Sequence, residues 1–224
     1  MKQIAVLVEG QTEEQFVDRV LQPYLNPTSD VDGVWLQPIV VTTSRTPAGN
    51  KVRGGGAWKH YDTNLRLLMG QQHWFRIGLL LDYYAYPKDA PGASAGGSGR
   101  ARHQALLAAL ADEYPDRRFV PGVALHEFET WVIAAALDRG ELLGERSPAE
   151  ILAAAAKEFQ DDVELIDDGP QTAPSKRVVA AWPGYSKTID GIDAVLDGGL
   201  NRILVRCPAL ADWLDRLTSG PVSS

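Results

Sequence analysis

The sequence predicts an α/β fold, a mostly parallel sheet flanked by helices and completed by a helical C-terminal extension. Two runs that are apolar almost throughout, "IAVLV" (4–8) and "IGLLLD" (77–82), have the pattern of strands buried on both faces. Segments with apolar residues at helical spacing alternate with them, as a parallel sheet with crossover connections requires.

The first strand stops at Val8. Thr12 can cap the helix that follows, with Gln15 reaching back in a Thr-x-x-Gln box, and Phe16, Val17, Val20, Leu21 and Tyr24 form one stripe. A second strand is expected over 34–43, and "SRTPAGNKVRGGG" (44–56) is too rich in Gly, Pro and polar residues to extend it. A helix over 58–69 leads to the strand at 77–82. The stretch "YPKDAPGASAGGSGR" (86–100) buries too little to offset the entropy of ordering it, which makes it a mobile lid or an exposed loop. Ala105, Leu106, Ala109 and Leu110 then share a helical face. "RFVPGVAL" (118–125) reads as a strand that Pro121 places at an edge or a bulge. Helices over 128–138 and 148–159, a polar loop to Lys176, short helices, a strand near 203–206 and a helix over 209–217 complete the chain. One domain is expected, with a core over about 1–138 and the extension over 139–224.

At 224 residues the chain can bury one sizeable core, and 45% apolar with 23% charged residues is ordinary for a globular domain. The formal charge of −7 leaves no overall basic field to hold a polyanion. Nucleic-acid contact must therefore be local or supplied by a partner. One cysteine, Cys207, excludes an internal disulfide framework and a cysteine-rich zinc site, and is expected to pack in the core of a cytoplasmic protein. No stretch approaches the ~20 apolar residues of a membrane span, so no membrane association is expected.

Three strand ends carry acids. Glu9, Asp82 and Glu127 each stand at or just past the carboxyl end of an expected strand, where parallel α/β sheets bind their ligands. Gathered at one rim, three carboxylates resist ionising together unless a cation compensates, and hard divalent ions such as Mg2+ or Mn2+ prefer oxygen ligands. A metal there would activate water and orient a phosphodiester for in-line attack. Glu127 and Glu129 compete for the third place. Two positions apart on a helix point to nearly opposite sides, so once the helix marked by Phe128, Trp131, Val132 and Ala135 has begun, only one of the two acids reaches the rim. Glu127 is the first choice and Glu129 the alternative.

Structural roles compete with each assignment. A carboxylate ahead of a helix is stabilised by the dipole, and so are Glu13 and Glu14 in the first turn, for which the structural role leads. His126 is a secondary candidate as ligand, base or positioning group. Tyr83, Tyr84 and Tyr86 either stack on a base or pack locally. Lys176 and Lys187 are candidates for binding a phosphate, against the alternative that both are ordinary surface lysines. Gly54–Gly56, near Lys51 and Arg53, lack the spacing of a phosphate-binding loop.

The ordered set "VEGQTEEQFV", "LLLDYYAYP", "LHEFETW", "TAPSKR", "PGYSK" and "RCPALADWL" resembles the Toprim-like domain of unknown function 4276 family of prokaryotes, over residues 6–214. The resemblance implies a Toprim-type fold in which a glutamate after the first strand and an Asp-x-Asp motif after a later one bind divalent metal. Glu9 matches that glutamate and Asp82 the first aspartate, while Tyr84 stands in place of the second. Such proteins are expected beside an ATPase of the ABC or AAA type in anti-phage or mobile-element loci.

The expectation is a metal-dependent nuclease acting on DNA or RNA. Glu9, Asp82 and Glu127 or Glu129 would hold Mg2+ or Mn2+, with Lys176 and Lys187 on phosphate oxygens. A non-catalytic adaptor or sensor serving an ATPase is the alternative, and an enzyme acting on a small phosphorylated substrate is a third reading.

Overall fold

The computed structural model describes residues 2–27, 33–45, 51–53, 56–166 and 169–220. β1 (Lys2–Val8) leads into α1 (Gln11–Gln15), which passes through a π-helical stretch, Phe16–Leu21, into α2 (Gln22–Leu25). β2 (Val34–Val40) follows, then β3 (Thr42–Arg45), β4 (Lys51–Arg53), α3 (Trp58–Met69), β5 (Arg76–Asp82) and α4 (Gly99–Glu113). Two short strands, β6 (Phe119–Val120) and β7 (Val123–Ala124), precede α5 (Glu129–Ala136) and α6 (Arg146–Lys157). A 3-10 turn, Val163–Leu165, leads to α7 (Pro174–Ala181), and a π-helical turn, Lys187–Gly191, to α8 (Ile192–Gly198), α9 (Leu200–Arg206) and α10 (Pro208–Thr218).

The main sheet runs β2–β1–β5–β6 with β7 also on β5, and every pairing in it is parallel. The fold is thus α/β, with helices on both faces and a helical C-terminal region. Side chains alternate across β1: Ile4, Val6 and Val8 join Phe16, Val20 and Trp131, whereas Ala5 and Leu7 join Tyr61, Leu65 and Leu106. Burial on both faces is why the strand reads as a continuous apolar run.

Several expectations are corrected. The helix after β1 starts two residues early, at Gln11, with Gly10 in place of Thr12 as its N-cap. Glu13, three residues on, returns its carboxylate to the Gly10 N–H at 3.0 Å, and Thr12 is buried in the first turn instead of capping it. The strand expected over 34–43 ends at Val40, and the chain turns into the β3–β4 antiparallel ribbon. The strand over 118–125 is two pieces. Ile77 and Gly78 pair with Phe119 and Val120, Leu81 and Asp82 pair with Val123 and Ala124, and Pro121–Gly122 interrupts them because proline has no N–H to give. Gly122 is also a close approach, since a Cβ there would stand 2.6 Å from the Leu79 carbonyl oxygen and 2.3 Å from Trp213 Nε1.

Residues 203–206 are helical, within α9: the three apolar residues of "ILVR" are too few to distinguish a strand from a helix segment. The segment 86–100 is pinned rather than loose: Tyr86 and Ala90 are buried, the Tyr86 hydroxyl donates to the Pro91 carbonyl (2.7 Å), and Arg102 donates to the carbonyls of Ala93 and Ala95. Cys207 is fully buried, as expected. Among the described residues no helix is long and apolar enough to cross a membrane.

Candidate functional site

From β1 the chain moves outward to β2, then returns past β1 to β5 and continues to β6 on the other side. The direction of winding therefore reverses between β1 and β5, and the carboxyl ends of the strands at such a switch point are where parallel α/β sheets bind ligands. Val8 pairs with Leu80, which sets Glu9 level with Leu81 and one step from Asp82 on the neighbouring strand. Register thus brings together two acids that are far apart in the chain.

Lys187, on the π-helical turn before α8, reaches the acids at this rim. Its ammonium stands 3.0 Å from Asp82 Oδ2, 3.6 Å from Glu129 Oε2 and 3.8 Å from Glu13 Oε1. Glu13 arrives from α1, where its other oxygen holds the Gly10 N–H. Glu129 is the first residue of α5, a helix with all eight residues buried, so its carboxylate has only the protein interior to face. Glu129 Oε2 is buried without a hydrogen-bond partner. Glu9 completes the group as a half-buried carboxylate that accepts no hydrogen bond among the described residues.

Three acids around one lysine, with Glu9 within electrostatic reach of them, leave an excess of negative charge, and the proton affinities reflect it. Burial first, then Asp82 and Glu13, push the Glu9 carboxyl from 4.5 up to about 7, against the pull of Lys187. Burial likewise raises Glu129 to about 7, with Lys187 opposing and Glu127 and Asp82 adding to the rise. Glu13 is also raised, by burial and then by Asp82. For Lys187, burial alone would lower the value, but Asp82, Glu129 and Glu13 outweigh it and hold the ammonium protonated above the ordinary lysine range.

Because the folded state keeps protons on Glu9 and Glu129 that the unfolded chain releases near 4.5, unfolding free energy falls as pH rises between about 4.5 and about 7. Chelator-treated protein is therefore expected to show a urea midpoint that declines across this window. The slope should be shallower in a Glu9→Gln, Glu129→Gln double variant. Identical slopes in the two proteins would contradict the assignment.

Glu127 is placed differently. Its Oε1 accepts the Ser175 N–H at 2.6 Å, capping α7 from outside, where the N-cap residue Ala173 has no side chain to do so. It lies within electrostatic reach of Glu129, but among the described residues it forms no ion pair with Lys187. Glu127→Ala is expected to cost about 1–2 kcal/mol of stability in urea titrations, the usual penalty for losing a cap. A cost near zero would mean the cap contributes nothing.

Lys176 is exposed in the first turn of α7 and, among the described residues, pairs with none of these acids. His126 adopts the left-handed conformation (φ 69°), and its ring Nε2 meets the Glu164 carbonyl at 3.1 Å. That oxygen only accepts, so Nε2 carries the proton. Tyr84 is half exposed, while Tyr83 and Tyr86 are buried. Gly54 and Gly55 lie outside the described residues.

Sequence reasoning assigned Glu13 to its helix and overlooked two phenols. Tyr61, stacked on Trp58, is held protonated by burial and then by Glu9, Glu13 and Asp82. The Tyr185 hydroxyl is buried beside Glu129, and Gly191 leaves it room, since a Cβ there would stand 2.5 Å away. Gly10 three residues before Glu13 was a usable sign of the cap. Tyr185 stands in the "PGYSK" motif beside Lys187, whereas no signal marked Tyr61.

A hard divalent cation takes oxygen ligands, and the donors here are carboxylates, one with a buried, unpartnered oxygen. The donor chemistry fits Mg2+ or Mn2+. Their spacing is arranged around an ammonium, and among the described residues no three Asp, Glu, His or Cys side chains form a ready metal cage.

Fold and site define a parallel α/β protein with an acid cluster, neutralised in part by one lysine, at the switch point of its sheet. The chain belongs to the family described as Domain of unknown function (DUF4276), whose model matches residues 8–218. No curated protein and no solved structure matches it.

Proposed function

We propose that the chain is a divalent-metal-dependent hydrolase of phosphodiester bonds in DNA or RNA, with a Toprim-like site. The observation that carries this reading is the set of three acids, Glu13, Asp82 and Glu129, gathered around a single ammonium where the sheet reverses its winding, with Glu9 within electrostatic reach of Asp82, Glu13 and Lys187. Glu9, Asp82 and Glu129 would hold Mg2+ or Mn2+, with Glu13 beside them. The metal would supply Lewis acidity and a water of lowered pKa. Lys187, protonated and one-third exposed, is the group positioned to bind a non-bridging phosphate oxygen. Lys176 is a more distant contact for the polynucleotide backbone.

With a net charge of −7, the chain has little general attraction for a polyanion. A partner that supplies that attraction suits it, and an ATPase of the ABC or AAA type is the partner the family resemblance suggests. Tyr84, half exposed where a Toprim site has its second aspartate, favours a second reading, a non-catalytic adaptor for the same ATPase.

A substrate panel with Mn2+ tests the proposal. Purified chain, alone and with the ATPase from its own locus, is offered single- and double-stranded DNA, RNA and mononucleotide phosphates. Cutting of polynucleotide is expected. Turnover of mononucleotides alone would redirect the function to small phosphorylated substrates, and no turnover with no Mn2+ binding would favour the adaptor.

A further inference from the structure

Lys187 is the one cation that the described ion pairs place within 4 Å of Asp82, Glu129 and Glu13. We propose that Lys187 is the resident counter-ion of this site, and that its ammonium and a divalent metal exclude one another from the space between Asp82, Glu129 and Glu13. The inference rests on the metal reading above and adds a requirement to it: loading the metal and releasing the lysine are one event.

The geometry carries the exclusion. Ammonium and metal would draw on the same carboxylate oxygens, and two cations sharing oxygens a few ångströms apart repel strongly in a partly buried site. Lys187 donates one hydrogen bond among the described residues, to Asp82 Oδ2 at 3.0 Å. Glu129 Oε2 lies 3.6 Å from the ammonium, beyond hydrogen-bond distance, so whatever the neighbouring Tyr185 hydroxyl supplies to this carboxylate, the lysine itself does not saturate that buried oxygen. Lys187 thus neutralises the acids without satisfying them.

The side chain can also leave. One-third of it is exposed, and its flexible four-carbon stem lets the ammonium move while the backbone stays in place. That backbone is tied down separately: the Ser186 N–H donates to Asp190 Oδ2 (2.7 Å), and the Gly191 N–H donates to the Ser186 carbonyl (3.2 Å). Release costs contacts with Asp82 and with the face of the Phe128 ring, 5.7 Å away, and leaves the ammonium at the rim, free to meet an anionic group. Metal therefore binds in competition with Lys187, and its measured affinity is weaker than the acids alone would give.

Calorimetric titration of Mn2+ into the metal-free full chain tests this, with Lys187→Met and Lys187→Arg as comparators and circular dichroism as the check on folding. Lys187→Met should bind Mn2+ at least ~10-fold more tightly than wild type, the usual scale of one coupled site. It should also melt lower without metal and recover with it. Lys187→Arg keeps the charge and offers more donors to the acids, so its Mn2+ affinity should be no higher than that of wild type. If wild type and Lys187→Met bind Mn2+ equally, or Lys187→Arg binds it more tightly than wild type, the competition is refuted while the metal site stands. If none of the three binds Mn2+, the metal reading falls and this inference with it. Should Lys187→Met fail to fold, Lys187→Arg decides alone.

Discussion

Glu9→Gln is expected to abolish the proposed metal-dependent cleavage and at the same time to raise the stability of the metal-free protein at pH 8. The two effects have one cause. Glu9 accepts no hydrogen bond among the described residues and is raised to about 7 by burial first and then by Asp82 and Glu13, so above that pH its charge opposes folding. Glutamine keeps the shape and removes the charge. A group one shell removed from a metal typically accounts for ~10–100-fold in affinity, so loss of a direct ligand should weaken Mn2+ binding by at least ~100-fold. The comparison is made at pH 8 by thermal melting in chelator, Mn2+ calorimetry and cleavage of a labelled polynucleotide. Wild-type cutting in a nuclease-free preparation would remove Glu9 from the reaction, and a lowered melting temperature would show that its carboxylate is structural.

The largest stability effect is expected from Phe16→Ala. Phe16 is fully buried in the π-helical stretch after α1, stacked on Trp131 (4.5 Å between ring centroids) and edge-on to Phe128 (5.9 Å). It joins the helix that carries Glu13 to the one that carries Glu129. Truncating a buried phenylalanine removes its transfer free energy and leaves a cavity, together worth about 3–5 kcal/mol. Urea unfolding of metal-free protein should show that loss. Because the cavity lies between the elements that hold Glu13 and Glu129, Mn2+ affinity should fall as well, although Phe16 touches no metal. A stability change under ~1 kcal/mol would mean that the aromatic cluster repacks and does not fix the two helices.

Much of this architecture is readable along the chain. β1 and β5 announce themselves by uninterrupted runs without a polar residue, 4–8 and 77–81, and α3, α4 and α10 lie where helical patterns end in Gly, Pro or polar residues. Where the pattern was too short to carry a period, it misled: "ILVR" sits in a helix, and the strand over 118–125 breaks where Pro121 cannot donate. α5 shows the limit well. All eight of its residues are buried, so no amphipathic face said which way Glu127 and Glu129 would turn, although a helix enclosed on every side does imply that an acid within it must find a partner.

By itself, the sequence determined that acids stand at the ends of apolar strands, since side-chain hydrophobicity and its period are local properties. Only tertiary structure decided which of them share an ammonium. Parallel register between β1 and β5, the turn of Glu127 onto α7 and the reach of Lys187 across 105 residues to Asp82 are consequences of packing, and electrostatic interaction depends on distances that packing alone sets.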